Sequence, residues 1–265
     1  MKKITLKIFA ISFISGLVLL NGSCTKDLLD QTPTTDLASS QFWQTESDAT
    51  TALMGAYSAV RPLFDRDYYF DGQAEYVRTR GTSTTSGNLR LGDAYNGGNY
   101  NPSGYGSSFD KMYRYLYGGV NRTNYVIENV KKMLPTASAA SKPGLEAVIG
   151  EARLLRGMVY FRLISMWGDV PYIGKVIYDN SEVEDLARTS ITQVKDSIMA
   201  DFTYAFEKLP VKGSAIGRVG KPAALAFRGK LQLYWACWNK FGWPELDTFT
   251  PNASEAEKAY LGAAA

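Results

Sequence analysis

Histidine is absent from this sequence of 265 residues, and only two cysteines occur, Cys24 and Cys237. The lack of histidine removes the most common general base, the usual zinc ligand and every histidine-based catalytic triad. Two cysteines offer no disulfide framework, and Cys237 has no partner if Cys24 is modified. We therefore expect Cys237 to be a buried apolar thiol, and we expect no metal site and no cofactor.

Long apolar runs are also scarce. One run, residues 8–20, follows three lysines in the first seven residues and precedes the small polar segment "NGS". That order is typical of a secretory signal. A bilayer-spanning helix needs roughly 20 apolar residues, so this run is too short to be a stable anchor by itself. No later segment comes close to that length.

An excess of positive charge is lacking once the signal is removed. Without its three lysines, the 29 basic residues become 26, equal to the 26 acidic residues. A near-neutral chain without a basic stripe lacks the electrostatic surface of a nucleic-acid-binding protein. We therefore exclude that class.

Cys24 stands directly after the small residues Gly22 and Ser23, which is the position of the acylated cysteine in a bacterial lipoprotein. The alternative is ordinary secretion with an unmodified thiol. Two or more acyl chains hold a protein firmly, because each buried methylene contributes roughly 0.8 kcal/mol. The sequence thus predicts a signal peptide over residues 1–23, a lipidated polar tether over 24–44 and a folded domain over 45–265.

Helical periodicity dominates the folded part. A first helix should begin after the N-cap Thr45 and stop at Pro62. Four more segments repeat apolar residues at spacings of three and four, and the fourth helix opens with a capping box formed by Ser190 and Gln193. These segments read "SFDKMYRYLYGGVNRTNYVIENVKKMLP", "PGLEAVIGEARLLRGMVYFRLISMWGDVPYI", "SITQVKDSIMADFTYAFEKLP" and "KPAALAFRGKLQLYWACW". Five such helices, joined by turns, predict an all-α fold of stacked helix pairs, an α-solenoid.

The last residues predict one further short helix. Ser254 and Glu257 suggest a capping box, with the helix starting at Glu255. A helix that short is marginal in isolation and has nothing after it to pack on. We therefore expect the chain to be truncated at its C-terminus.

Residues 65–107 lose all periodicity and are rich in glycine, asparagine and tyrosine. Long irregular segments in compact domains are usually functional or disordered. Flat aromatic rings beside amide and guanidinium groups suit a neutral glycan, because sugars present C–H faces ringed by hydroxyls. The candidate ligand-binding residues are Tyr69, Arg78, Arg80, Tyr95, Asn96, Tyr100 and Asn101. The alternative is a surface loop whose tyrosines pack on the helices beneath.

Four charged residues near the third helix, Glu151, Arg153, Arg156 and Asp169, invite a catalytic interpretation. The five-residue separation of Glu151 and Arg156 is a poor match to helical pairing, so we expect solvated or interhelical structural roles. "GYGSSF" lacks the third glycine and the preceding strand of a nucleotide-binding loop. A carboxylate pair for glycoside hydrolysis stays open, because its separation depends on tertiary structure. We therefore expect that the protein is not an enzyme.

Several segments together resemble the N-terminal half of SusD/RagB-type outer-membrane lipoproteins. In order they are "CTKDLLDQTPTTDLASSQFWQTESDATTALMGAYSAVR", "YGGVNRTNYVIENV", "GEARLLRGMVYFRLISMWGDVPYI", "SITQVKDSIMADFTYAFEKLP" and "GRVGKPAALAFRGKLQLYWACW". The most specific part is "EARLLRGMVYFRLISMWGDVP". The five segments cover most of the chain after Cys24.

The resemblance implies a lipid-anchored, surface-exposed nutrient-binding protein of the outer membrane with a fold of tetratricopeptide-like helix pairs. It implies as partner a SusC-type TonB-dependent transporter, to which the protein delivers a glycan for uptake in polysaccharide utilisation. Some members bind a peptide instead, and a helical-repeat adaptor without ligand binding is a further alternative. The long, irregular C-terminal region of the family is missing from this sequence, so we expect the binding site to be incomplete.

Overall fold

Six α-helices account for most of the residues that the computed structural model describes, which are 42–63, 102–242 and 249–265. For residues 62 and 102–111 the description is limited to the backbone. The helices are α1 (Glu46–Val60), α2 (Pro102–Met133), α3 (Lys142–Trp167), α4 (Ile191–Lys208), α5 (Lys221–Phe241) and α6 (Ala253–Ala264). Short 3₁₀ turns lie at Arg61–Leu63 and Asn180–Glu182. An isolated bridge between Val170 and Thr189 is the β-type pairing within these ranges.

The start of α1 follows its sequence signal. The Thr45 side chain accepts a hydrogen bond from the Asp48 amide, and the Asp48 carboxylate accepts one from the Thr45 amide, which completes a capping box. The helix ends at Val60, and its buried face carries Ala49, Leu53 and Ala56. The predicted boundaries of this helix are therefore confirmed to within one or two residues.

Helix α2 is longer than its sequence predicts. It begins at Pro102, so residues 102–107 are helical, although the loss of periodicity assigned them to the irregular segment. Proline fits the first turn of a helix because its missing amide hydrogen would have no partner there. The predicted apolar face is confirmed at Leu116, Val120 and Val130, which are buried.

Helix α3 is the centre of the domain, since it packs against α1, α2 and α4. Sixteen of its 26 residues are buried, far more than the single stripe that periodicity predicts. Close approach to α4 depends on Gly157, where an added Cβ would meet the Phe202 ring at 2.6 Å. The predicted stripe from Leu145 to Leu163 is confirmed as part of this core.

Each helix packs against the next one along the chain, as expected for stacked helix pairs. The Ser190 hydroxyl accepts from the Gln193 amide at 3.4 Å and so caps α4 as predicted. An aromatic contact joins α4 to α5, because the ring centroids of Phe202 and Phe227 lie 5.7 Å apart. The described part of the chain therefore confirms the predicted all-α, helix-pair architecture.

Two expectations at the C-terminal end are wrong. The N-cap of α6 is Asn252, whose side chain accepts from the amides at 254 and 255, so the helix starts two residues earlier than the Ser254 capping box predicts. The helix packs against the preceding helix α5 through the buried Ala256 and Ala259. Cys237 is exposed, because it lies on the solvent-facing stripe of α5 that also carries Lys230 and Lys240.

Candidate functional site

The residues that the sequence nominates for ligand binding lie outside the described part of the structure. This applies to Tyr69, Arg78, Arg80, Tyr95, Asn96, Tyr100 and Asn101, and also to the lipidation site Cys24. The last two of the ligand-binding candidates immediately precede Pro102, the first residue of α2, in the sequence. The N-terminal half of α2 is therefore the described surface closest along the chain to the predicted site.

Helix α2 holds the α3–α4 connection, residues 168–190, through side-chain amides. The Asn121 amide group donates to the Ile177 carbonyl and accepts from the Ile177 amide, both at 2.8 Å. Asn124 donates to the carbonyls of Ile173, at 2.9 Å, and Lys175, at 2.8 Å. An extended segment of the connection thus satisfies its backbone groups against a helix instead of a neighbouring strand.

The ends of the connection are fixed as well. Asp169 accepts a hydrogen bond from the Ile191 amide at 2.7 Å, at the start of α4. The Val170 and Thr189 backbones exchange two hydrogen bonds of 3.2 and 3.0 Å. Because both ends and the middle are held, the connection forms a fixed wall beside α2.

A half-buried aromatic cluster lies between α2, α3 and this wall. The rings of Tyr113 and Tyr117 are 4.8 Å apart, and Tyr113 meets Trp167 edge-on at 5.2 Å. Tyr160 and Tyr172 continue the cluster at 4.8 Å. Trp167 packs against the core.

The hydroxyl of Tyr117 ties this cluster to the connection. It donates to the Pro171 carbonyl at 2.7 Å. Burial, with smaller contributions from Tyr113 and Tyr160, raises the pKa of Tyr117 above its ordinary value. Tyr117 therefore stays a neutral hydrogen-bond donor across the physiological pH range.

A groove of about 410 Å³ runs between α2 and the α3–α4 connection. Its lining is mainly apolar and aromatic, and includes Tyr113, Tyr117, Ile173, Ile177, Val183 and Leu186. The amide of Asn121 also faces it, but both of its polar ends bind Ile177. Arg114 and Asn180 complete its polar lining, and the larger apolar part of the lining suits an apolar group.

The four charged residues near α3 have structural roles, as expected from the sequence; Arg153, for example, lies over the Tyr204 ring and 3.8 Å from the Asp201 carboxylate. Arg156 donates to Asp201 through Nε and Nη2, each at 2.7 Å, and through Nη1 to the side-chain Oδ1 of Asn124 at 2.8 Å. Burial opposes the charge of Arg156, but attraction by Asp201 outweighs it and raises the pKa of the guanidinium. This interaction fixes the orientation of the Asn124 amide and hence of the connection.

Glu151 forms a second buried network. Its carboxylate accepts two hydrogen bonds from Arg218, at 3.0 and 2.5 Å, and one from the Tyr57 hydroxyl at 2.6 Å. The Val219 amide donates to the Tyr57 oxygen at 3.0 Å. Helices α1 and α3 and the chain before α5 thus meet at one carboxylate, and Glu151 and Arg156 do not pair with each other.

Among residues 42–63, 102–242 and 249–265, no group of three or more metal-ligating side chains is close enough to hold an ion. In the same ranges, no helix has the length and hydropathy needed to cross a membrane.

The amino-acid sequence shows which protein family the chain belongs to. A sequence model described as SusD-like, starch-binding and associating with the outer membrane, matches residues 27–233.

This chain belongs to the SusD-like family. SusD-like protein P25 of Formosa agariphila is 24% identical over 226 residues, which cover 82% of this chain and 41% of that protein. A SusD-like protein of Bacteroides ovatus is 27% identical over 245 residues, covering 86% of this chain and 40% of the relative. The chain thus spans about two-fifths of the length of these curated relatives.

Solved structures agree with the fold. A SusD homologue from Bacteroides thetaiotaomicron superposes with a TM-score of 0.63 at 22% identity, covering 84% of this chain and 41% of that one. A laminarin-binding SusD-like protein gives a TM-score of 0.55 at 20% identity, over 75% of this chain and 42% of that one. The SusD-like helical fold is therefore shared over the aligned part of this chain.

The sequence interpretation missed the residues that hold the connection. Tyr117, Asn121, Asn124 and Glu128 recur at spacings of four, three and four, and each bonds to the connection. They form a second stripe on α2, next to the apolar one. A polar stripe at helical spacing beside an apolar stripe is the signal that could have identified this face of the SusD-like helix.

Proposed function

We propose that this SusD-like chain belongs to a non-catalytic glycan-binding lipoprotein that serves nutrient uptake at the outer membrane. The observation that carries the proposal is the match of residues 27–233 to a family described as starch-binding and associating with the outer membrane. The structural relative that binds laminarin supports the same class of ligand. Stacking and hydrogen bonds would hold the glycan, without covalent chemistry.

The residues that would bind the glycan are Tyr69, Arg78, Arg80, Tyr95, Asn96, Tyr100 and Asn101. Tyrosine faces pack on the C–H faces of sugars, while asparagine and arginine donate to hydroxyl and ring oxygens. Their place in the sequence supports this role, because Tyr100 and Asn101 lead directly into α2. That helix is fixed by its buried residues and by the α3–α4 connection.

Affinity electrophoresis tests the ligand class. The purified mature protein should be retarded in gels that contain laminarin, starch or another polysaccharide of a panel, and Tyr95→Ala and Tyr100→Ala should weaken the retardation. Tyr178→Ala is the matched control, because Tyr178 is 74% exposed and lies in the α3–α4 connection. No retardation by any polysaccharide would contradict glycan binding.

A second candidate function is peptide capture, and the groove beside α2 favours it. Its apolar lining and volume of about 410 Å³ suit an apolar side chain of an extended peptide. Retention of oligopeptides, without retardation by polysaccharides, would support this function. If uptake is unchanged after Tyr95→Ala and Tyr100→Ala, a helical adaptor without ligand binding is favoured instead.

The proposed location of the protein is the outer-membrane surface, with Cys24 as the acylated first residue of the mature protein. Mass spectrometry of the mature N-terminus tests this, and an unmodified Cys24 would exclude the anchor.

The proposed partner is a SusC-type TonB-dependent transporter that receives the ligand. Co-purification of the two proteins from detergent-solubilised membranes should recover the transporter, and its absence from the eluate would contradict the partnership.

A further inference from the structure

The α4–α5 loop, residues 209–220, presents two apolar side chains to solvent. Val211 is 74% exposed, and Ile216 is fully exposed. Lys212 and small residues at 213–215 lie between them, and the loop has no acidic residue. Two exposed apolar side chains on one short segment can contribute to an interaction surface.

The base of this loop is firmly held. Arg218 makes two hydrogen bonds to the buried carboxylate of Glu151, and the Val219 amide donates to the Tyr57 hydroxyl. The Lys221 amide donates to the Pro210 carbonyl at 2.8 Å, which closes the loop. A loop whose base is already ordered loses little conformational entropy when its tip binds.

The loop lies at the same end of the helix bundle as the start of α1. Lys208, just before the loop, pairs with Glu146 in the first turns of α3 at 2.9 Å. At this end of α3, the Glu46 carboxylate occupies the space that a Cβ atom at Gly144 would fill. Glu46 is the first residue of α1, so this helix starts at the end of the bundle where the loop lies.

The predicted tether does not orient the domain by itself. Residues 24–44 could reach about 70 Å when fully extended, and about 25 Å as a flexible coil. A lipid at Cys24 would therefore keep the domain near the membrane without choosing which face it presents. A second contact beside the entry point of the tether would fix the orientation.

We propose that the α4–α5 loop is this second contact and inserts Val211 and Ile216 into the surface of a lipid bilayer. Lys212 stands between the two side chains, where it can meet the phosphates of anionic headgroups. The inference uses the proposed lipid tether for its geometry. It does not depend on which ligand the protein binds.

Vesicle sedimentation of a mature chain with Cys24→Ser tests the loop without the acyl anchor. The protein should sediment with vesicles of phosphatidylcholine and phosphatidylglycerol. In the Val211→Ser/Ile216→Ser variant, each lost side chain should lower the partition coefficient about tenfold. Phe241→Ser is the matched control, because Phe241 is 73% exposed at the far end of α5, about 30 Å away.

Unchanged thermal unfolding by circular dichroism would show that the loop variant is folded, as expected for two exposed residues. The proposal is overturned if the Cys24→Ser protein does not sediment, or if the loop variant and the Phe241 variant sediment equally. It is also overturned if the loop variant loses membrane association only when the transporter is present, because the loop would then dock on a protein. Retardation by polysaccharide, measured on the same variants, reports the ligand function separately.

Discussion

Arg156 of α3 and Asp201 of α4 form a buried ion pair with two parallel hydrogen bonds of 2.7 Å. The third bond of the guanidinium goes to Asn124, so one arginine joins α2, α3 and α4. Removing one partner of a buried pair leaves an uncompensated charge. We expect Asp201→Ala to lower the free energy of unfolding by about 3–5 kcal/mol, measured by urea denaturation.

Two comparisons separate the buried pair from a general effect of charge removal. Asp196→Ala removes a carboxylate that is also paired, in this case with Lys195, but is 65% exposed, and it should cost at most about 1 kcal/mol. Arg156→Met/Asp201→Leu removes both charges and should be less destabilised than Asp201→Ala. A double variant as unstable as the single one would show that packing, and not the unpaired charge, accounts for the loss.

Asn121 is the residue on which the wall of the groove most directly depends. Asn121→Ala removes both hydrogen bonds to Ile177 and should destabilise the protein by about 1–3 kcal/mol. The Ile177 amide should exchange its hydrogen faster, which hydrogen-exchange mass spectrometry of the α3–α4 connection would detect. Asn129→Ala is the control, because the Asn129 side chain donates within its own helix, to Tyr125. Equal exchange in both variants would contradict the role of Asn121.

The helices of this protein could be predicted from its sequence because their determinants are local. The Thr45 cap and the apolar stripe of α3 each depend on residues within a few positions. The predicted start of α2 was wrong, because Pro102 and the glycines after it do not repeat apolar residues at helical spacing. The prediction that Cys237 is buried was wrong, because the buried face of α5 depends on which helices pack against it.

The candidate site was less predictable for a physical reason. Asn121 and Asn124 bind backbone groups about 50 residues away, and such pairs leave no periodic signal between the two segments. Glu151 and Arg218 likewise meet only after the helices pack. The glycan-binding residues stay a prediction, because the seven side chains lie outside the described residues.

Glu182 should make the stability of the protein depend on pH in the acid range. Its hydrogen bond with Lys175, followed by those from the amides of Tyr178 and Asp179, lowers its pKa from 4.5 to about 2. A carboxyl with a lowered pKa in the folded state stabilises it above the unfolded pKa, and this contribution is lost as pH falls through the folded value. The stability difference between wild type and Glu182→Gln should therefore be full above pH 4.5 and vanish near pH 2.

Urea midpoints measured across this pH range would test that dependence. Lys175→Met removes the strongest partner of Glu182 and should reduce the same difference, because the pKa of the carboxyl would return toward its ordinary value. A difference between wild type and Glu182→Gln that does not change between pH 6 and pH 2 would show that the carboxylate charge contributes nothing.

Gly157 sets the distance between α3 and α4. An added Cβ would lie 2.6 Å from the Phe202 ring, which is itself fully buried and cannot swing away. We expect Gly157→Ala to lower the free energy of unfolding by about 1–3 kcal/mol, because overpacking forces the two helices apart. Gly55→Ala is the control within α1, where nothing lies within 4 Å of an added Cβ. There alanine should raise stability by about 0.5–1 kcal/mol, since it restricts the unfolded chain. Thermal unfolding of the two variants should thus shift in opposite directions, and a shift of the same sign would contradict the close packing of Phe202 on Gly157.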